Sequence, residues 1–146
     1  MLRVCEVGVL AKQLDRRTAG ALGIEALSRG AASAMFVDSD AASVAAIRQN
    51  LERTRAEGAL VTRSDALAFL RNAARQGERW DLAFCDPPYR LAPRLGEPLS
   101  RMLEPVLAPG ARVVCESSHR QPLELDLPLE TERRYGDTRI AVYSRG

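Results

Sequence analysis

The sequence has 146 residues, of which 46% are hydrophobic and 27% charged, and its formal net charge is +2. This length predicts one globular domain over residues 1–146 with a single sizeable core, and no apolar run is long enough to cross a membrane. Residues 1–10 lack the continuous apolar segment of a signal peptide, so we expect a cytoplasmic protein.

Cysteine, histidine and lysine are scarce. Cys5, Cys85 and Cys115 each lie in an apolar, strand-like stretch, which is typical of buried free thiols. Because His119 is the only histidine, no protein-bound metal is expected. Lys12 is the only lysine among 21 basic residues. This excess of arginine suits phosphate contacts, and it is equally consistent with a genome rich in arginine and alanine codons.

The first half of the chain alternates helices and strands. Residues 22–29 have the pattern of a helix that stops at Gly30, and residues 34–37 form a short apolar strand. Asp40 can cap a helix that runs to about residue 55. A second strand follows at 59–62, and Asp65 can cap a third helix.

The second half continues the alternation and then changes character. We expect a strand at 81–85, a helix near 98–107 and a strand at 113–116. Residues 130–135 and 139–143 predict two strands joined at Gly136 and Asp137, which is a hairpin signal. The order predicts an α/β fold with a doubly wound, mostly parallel sheet that ends in an antiparallel hairpin. Such sheets bind ligands at the carboxyl ends of their strands.

Three acids follow successive predicted strands. Asp38 lies 18 residues after Gly20, close to the spacing at which a carboxylate accepts hydrogen bonds from ribose hydroxyls. Asp65 and Asp86 end the next two strands. Asp65 would lie within reach of an adenine amino group. Asp65 is as readily explained as a helix cap, whereas Asp38 is not, because Asp40 already serves as one.

The stretch W-D-L-A-F-C-D-P-P-Y-R, residues 80–90, ends a strand with two prolines between an acid and a tyrosine. Pro87 and Pro88 fix two φ angles and remove two N–H donors, which leaves backbone carbonyls as acceptors. An alternative is a rigid turn at the edge of a sheet. An acid, a carbonyl and the Tyr89 ring at a strand end together suit a planar amine.

These residues carry a resemblance. Asp86 to Tyr89, D-P-P-Y, resembles the catalytic motif of amino-directed, S-adenosylmethionine-dependent methyltransferases. More narrowly, the chain resembles the RsmD-type family, which methylates the exocyclic N2 of a guanine in 16S ribosomal RNA. The segments that resemble the family, in family order, are G-A-L-G-I-E-A-L-S-R-G-A (20–31), F-V-D-S-D (36–40), S-D-A-L-A-F-L (64–70), D-P-P-Y (86–89) and Y-G-D-T-R-I-A-V-Y (135–143).

The resemblance implies a Rossmann-like methyltransferase fold, S-adenosyl-L-methionine as cofactor, and ribosomal RNA or the small ribosomal subunit as partner. We also expect a monomer without metal or membrane association. The catalytic residues that it implies are Asp86, Pro87, Pro88 and Tyr89. The cofactor-binding residues that it implies are Gly20, Gly23, Asp38, Asp65, Ala66 and Asp86. Arg16, Arg17, Arg90 and Arg94 are candidates for RNA contacts.

Residues 1–19 depart from the family's pattern. The family's cofactor loop reads like D-x-F-A-G-[ST]-G-A-L-G after a first strand, and here Arg16 and Arg17 stand where glycine is wanted for close approach of the backbone. Residues 2–8 can still supply the missing strand, with Glu6 as its terminal acid and Gly8 opening the loop. A mis-specified or truncated start, a divergent working loop and an inactive enzyme all account for this departure. Because D-P-P-Y also occurs in DNA adenine methyltransferases, a DNA adenine-N6 methyltransferase is one alternative function. The altered loop adds a second, a non-catalytic RNA-binding relative with a degraded cofactor loop.

Overall fold

The computed structural model describes residues 2–8, 19–87 and 90–146. Within these residues, seven strands form one sheet in the order β3-β2-β1-β4-β5-β7-β6. The pairs among β1 to β5 are parallel, whereas β7 pairs antiparallel with both β5 and β6. The strands are β1 (Arg3–Gly8), β2 (Ser33–Asp38), β3 (Ala59–Arg63), β4 (Trp80–Asp86), β5 (Leu107–Ser118), β6 (Leu129–Tyr135) and β7 (Thr138–Ser144).

Four helices connect the parallel strands in the described part of the chain. They are α1 (Ala21–Ser28), α2 (Ala41–Thr54), α3 (Ala66–Arg75) and α4 (Ala92–Leu103). The carboxylate of Asp40 caps α2 by accepting from the Ser43 N–H at 2.9 Å, and Asp65 caps α3 by accepting from the Ala68 N–H at 3.0 Å. Each cap satisfies a backbone donor that the first helical turn would leave without a partner.

The fold confirms the predicted α/β class and the antiparallel ending. The strand suggested by residues 2–8 is present as β1, at the centre of the sheet. The helix predicted near 98–107 was placed wrongly: α4 begins at Ala92 and ends at Leu103, and residues 104–106 form a short 3-10 turn. Pro93 lies in the first turn, where it needs no N–H partner, but Gly96 and Pro98 inside the helix hid its first half from the sequence pattern.

The two faces of the sheet carry different helices and separate apolar clusters. Helices α1 and α2 contact β1, β2 and β3 on one face, around the fully buried Phe36. On the other face, α3 and α4 cover a larger cluster that includes Leu70, Leu99 and Leu103. Side chains along each strand alternate between these faces.

Because β1 to β5 run parallel, their carboxyl ends meet at one edge of the sheet. That edge carries Gly8, Asp38, Asp86 and, near the end of β5, Glu116. None of the described helices is both long and apolar enough to cross a membrane.

Candidate active site

Strand register sets four residues in one lateral row at the carboxyl edge. Val7 pairs with Val37, so Gly8 and Asp38 are adjacent, and Gly8 itself pairs with Asp86. Cys85 pairs with Cys115, which places the following residues, Asp86 and Glu116, side by side. Acids that are far apart in sequence are thus brought together by pairing alone.

Gly8 is the point of closest approach in this row. A Cβ atom at Gly8 would lie 2.4 Å from Oδ2 of Asp38, which is closer than nonbonded atoms can come. Any larger residue would therefore displace the Asp38 carboxylate. The small residue at the end of β1 keeps the space between the two acidic strand ends open.

The row borders an open pocket of about 370 Å³, a volume in the range of small-molecule sites. The wall combines carboxylates with apolar side chains and the backbone at the start of α1. The lining residues are Glu6, Val7, Gly8, Ala19, Gly20, Ala21, Leu22, Val37, Asp38, Ile47, Phe84, Asp86 and Glu116.

Glu6 ties β1 to the first turn of α1. Gly20 caps this helix in the left-handed region, at a φ of 75°, and the Gly23 N–H donates to Oε2 of Glu6 at 3.1 Å. The carboxylate therefore occupies the positive end of a short helix, where backbone N–H groups favour negative charge. A Cβ at Gly23 would meet the Phe36 ring at 2.4 Å, so α1 can lie this close to β2 only with glycine at that position.

Several pocket carboxyls hold their protons more tightly than usual. Burial raises the pKa of Glu6 to about 7, and the nearby Asp86 and Asp38 add to the effect although the Gly23 hydrogen bond opposes it. Loss of hydration raises the pKa of Asp86 to about 6, with the Glu116 charge contributing further. These shifts arise mainly because the carboxyls are partly removed from water, and nearby like charges add to them.

Asp38 lines the pocket and does not cap the helix that follows it. Its side chain is buried, and Oδ1 accepts from the Asp40 N–H at 2.9 Å. Burial raises its pKa, while that hydrogen bond opposes the rise. Because Asp40 caps α2, Asp38 does not, as the sequence predicted.

The other predicted cofactor residues are distributed unevenly. Gly20 lines the pocket, whereas Gly23 lies behind it against Glu6 and Phe36. Asp65 is exposed and caps α3, and it is not among the described pocket-lining residues. Ala66 is buried in the apolar cluster under α3. Contacts of Asp65 and Ala66 with a cofactor stay predictions.

The predicted catalytic and RNA-contacting residues are only partly described. Asp86 lines the pocket, and the Pro87 side chain behind it is fully buried. Arg90 and Arg94 are exposed where the chain enters α4. Pro88, Tyr89, Arg16 and Arg17 lie outside the described residues.

Glu116 is the pocket residue that the sequence analysis missed. It was assigned to a predicted strand but was not recognised as a fourth acid at a strand end. It lies 30 positions after Asp86 in the sequence, and only the β4–β5 register makes the two neighbours. Its position near the end of an apolar strand, like that of Asp38 and Asp86, was the available signal.

This set of residues fits the cofactor that the sequence resemblance implies. Glu6, Asp86 and Glu116 give the pocket a negative lining suited to a small cation, and Asp38 offers carboxylate oxygens where ribose hydroxyls would be recognised. Among the described residues, no group of three or more histidine, cysteine or acidic side chains could hold a metal ion.

Comparison with known proteins gives a family match over most of the chain. Residues 16–144 match the family described as "Conserved hypothetical protein 95". The chain is 34% identical over 133 residues to "Putative rRNA methyltransferase YlbH" of Bacillus subtilis, a match that spans 86% of this chain and 71% of that protein.

A second related sequence and a solved structure match different shares of the chain. "Ribosomal RNA small subunit methyltransferase D" of Escherichia coli is 42% identical over 71 residues, which are 49% of this chain and 34% of that protein. The solved structure of "Putative methyltransferase yhhF" from Escherichia coli superposes with a TM-score of 0.77 at 30% identity. That superposition covers 99% of this chain and 76% of the other.

Proposed function

This chain belongs to the family described as Conserved hypothetical protein 95, the RsmD family, and on that premise we propose that it transfers a methyl group from S-adenosyl-L-methionine to ribosomal RNA. The proposed acceptor is the exocyclic N2 amine of a guanine in 16S RNA of the small subunit. The observation that carries the proposal is the row of Asp38, Gly8, Asp86 and Glu116, which borders an acidic pocket. Asp86 in this row is the first residue of D-P-P-Y.

Asp38 and the start of α1 would hold the cofactor. The buried Asp38 carboxylate already has one oxygen fixed by the Asp40 N–H, so its orientation toward ribose hydroxyls is set before binding. Gly20 has no side chain, so its backbone is accessible at the pocket wall at the start of α1. S-adenosyl-L-methionine, when bound, supplies a methyl group attached to a positively charged sulfur.

The pocket acids would favour that positive charge. Glu6 and Asp86 have raised pKa values in the ligand-free protein mainly because burial removes water from them, and nearby acids add to the effect. A cation placed among them relieves the like-charge repulsion and stabilises their ionised forms. Binding should therefore be accompanied by release of protons near pH 6 to 7.

Asp86 and the Pro87 carbonyl would orient the acceptor amine. If they accept hydrogen bonds from its two N–H groups, the nitrogen moves toward tetrahedral geometry and its lone pair turns toward the methyl group. The base must leave its stack to reach the pocket. After transfer the nitrogen carries an acidic proton, and a carboxylate with a pKa of about 6 is suited to accept it near neutral pH.

The first test is ligand-induced stabilisation followed by transfer. With S-adenosylmethionine or S-adenosylhomocysteine at about 100 times the dissociation constant, the free energy of unfolding should rise by about 2.7 kcal/mol. Labelled methyl groups should then appear in small-subunit RNA, offered both as naked RNA and as assembled subunits, and not in DNA that contains adenine targets. Asp86→Asn should lose at least about 100-fold in rate, the scale of one acid–base group, while keeping the stabilisation by S-adenosylhomocysteine, whose sulfur carries no charge.

The outcomes separate binding from catalysis. A folded chain that shows no stabilisation with either ligand would refute the proposal at the cofactor step. Stabilisation without transfer to any small-subunit RNA would refute the acceptor. Full activity of Asp86→Asn would remove only the proton-accepting role of this residue, because the asparagine carbonyl can still accept from the amine, and would leave the methyltransferase assignment intact.

A further inference from the structure

In the part of the chain that the structure describes, side chains of β5, β7 and β6 form a partly exposed surface beside the pocket. On β5 and β7, alternate residues are buried under the α3 and α4 side, whereas Val114, Ile140 and Val142 point the other way and are only half-buried. Helices α1 and α2, which cover this same side of the sheet, contact β1, β2 and β3. We call this surface the β5–β6 face and define it by Val114, Glu116, Ile140, Val142, Arg133 and Tyr135.

Register connects the β5–β6 face to the row of pocket residues. Glu116 pairs with Ile140, and Ile140 pairs with Arg133. The row that begins at Asp38 therefore continues to β6, the strand at the edge of the sheet. Three strand spacings separate Asp86 from Arg133, about 14 Å in total. Tyr135, two positions farther along β6, lies on the same side as Arg133 and has 59% of its surface exposed.

Charge along this row changes sign from the pocket to the edge of the sheet. The acids of β6 are neutralised by other residues: Glu132 pairs with Arg139 at 2.6 Å, and Glu130 pairs with Arg112 at 3.0 Å. In the described part of the chain Arg133 enters no ion pair, so its charge is available on the exposed strand. The pocket end is therefore acidic and the far end basic.

This gradient fits a single-stranded nucleic acid whose base, not its phosphate, enters the pocket. Asp86 and Glu116 would repel phosphates, whereas a neutral base can approach them. An exposed tyrosine beside an arginine is the combination that stacks a base and holds the adjoining phosphate. Because about 14 Å separate Asp86 from Arg133, these contacts would fall on nucleotides that flank the one in the pocket.

We propose that the β5–β6 face is the docking surface for the single-stranded RNA that flanks the target base, with Tyr135 stacking on a base and Arg133 contacting a phosphate. The inference rests on the proposed function for the identity of the nucleic acid. It assigns recognition to the hairpin that ends the fold, on the side of the sheet that α1 and α2 leave uncovered.

The test compares two neighbouring arginines on opposite sides of one strand. Arg133 pairs with Ile140 and lies on the β5–β6 face, whereas Arg134 pairs with Arg139 and lies on the other side. Both are exposed, so Arg134→Ala is a control matched in residue type, strand and solvent exposure. Binding of a labelled single-stranded RNA decamer is measured at several salt concentrations for Tyr135→Ala, Arg133→Ala and Arg134→Ala.

Tyr135→Ala should weaken RNA binding by about 5- to 150-fold, the range for loss of one stacked base. Arg133→Ala should lower the slope of log affinity against log salt by about 0.7, as expected for one phosphate contact to a single strand. Arg134→Ala should change neither quantity. All three variants should keep the thermal stabilisation by S-adenosylhomocysteine, because none of the three residues lines the pocket.

Two readouts keep this inference distinct from the proposed function. RNA binding that falls with Tyr135→Ala and Arg133→Ala supports the surface even if no methyl group is transferred. Methyl transfer to small-subunit RNA with an unchanged KM in both variants would overturn the surface while the proposed function stands. Equal losses in Arg134→Ala and Arg133→Ala, or sedimentation showing that this face joins two copies of the chain, would also overturn it.

Discussion

Asp38 and Asp40 lie on one turn at the end of β2, yet they bind different partners. Asp40 accepts from both the N–H and the hydroxyl of Ser43, and these hydrogen bonds fix the start of α2. Asp38 is buried at the pocket wall and receives the Asp40 N–H. Asp40 therefore caps the helix, whereas Asp38 lines the pocket.

Substitution at these two positions should separate affinity from stability. Asp38→Asn should weaken S-adenosylhomocysteine binding by about 10- to 100-fold, because it loses a charged acceptor for ribose hydroxyls. Asp40→Ala should lower the free energy of unfolding by about 1 kcal/mol through loss of the cap and should leave affinity within about twofold. Calorimetric titration and urea unfolding check the two effects. Equal loss of affinity in both variants would contradict the assignment of Asp38.

The raised pKa of Glu6 predicts how the stability of the ligand-free protein varies with pH. A carboxyl with a pKa of about 7 in the fold and 4.5 when unfolded binds its proton more tightly in the fold. Its stabilising contribution is complete below pH 4.5 and is lost as the pH rises through 7. Urea unfolding should therefore show a steeper fall in stability between pH 5 and 7 for the wild type than for Glu6→Gln. Identical slopes would contradict the raised pKa.

At the scale of elements, Arg139 stabilises the crossover between β5 and β6, residues 119–128. Its guanidinium is almost fully buried and donates to the Leu123 carbonyl at 2.9 Å and to Glu132 at 2.6 Å. The Ser117 hydroxyl accepts from the Leu123 N–H at 2.9 Å. Both backbone groups of Leu123 are thus held by side chains, so the crossover is fixed although it forms neither helix nor strand.

Arg139→Met keeps the volume of the side chain but removes its hydrogen bonds. We expect the free energy of unfolding to fall by about 2 kcal/mol, the cost of leaving a buried carbonyl without its charged donor. Arg101→Met is the control, because Arg101 pairs with Glu97 on the exposed surface of α4 and should change stability by less than about 0.5 kcal/mol. Equal effects in urea unfolding would show that the buried hydrogen bonds contribute little.

The sequence predicted elements well where local signals agreed. Asp40 as a cap, the apolar positions of α2 and the Gly136–Asp137 turn all specified structure within a few residues of themselves, and the structure has each of them. Helix α4 was misplaced because Gly96 and Pro98 oppose helical propensity, and burial of the helix on the sheet outweighs them. The pocket was predicted in part: Asp38 and Asp86 follow apolar strands, but the proximity of Glu116 depends on pairing that no local pattern records.

At the scale of the whole molecule, all three cysteines lie in the central strands. Cys85 and Cys115 are register partners on β4 and β5, and Cys5 lies on the adjacent β1. Burial raises the pKa of the Cys5 thiol. A hydrogen bond with Cys85 makes the largest contribution to the raised pKa of the Cys115 thiol, and burial makes the next largest. Protonated, enclosed thiols are poor nucleophiles.

Thiol reactivity should therefore report opening of the sheet as a whole. In native buffer, a thiol reagent such as dithiobisnitrobenzoate should modify none of the cysteines within minutes, whereas in 6 M guanidinium chloride, roughly twice a typical unfolding midpoint, it should modify all three. The slow native reaction should accelerate with the same denaturant dependence as global unfolding. Rapid modification of one cysteine in native buffer would instead reveal local opening of the central strands.

The insertion of β7 between β5 and β6 has a consequence during synthesis. When β6 leaves the ribosome, the strand that will hold it has not yet been made, and the edge of β5 is still bare. A nascent chain can pair its parallel strands early. The β5–β6 face forms only after β7 has paired with both β5 and β6. Premature termination before residue 138 would thus leave two strand edges without partners and exposed to aggregation.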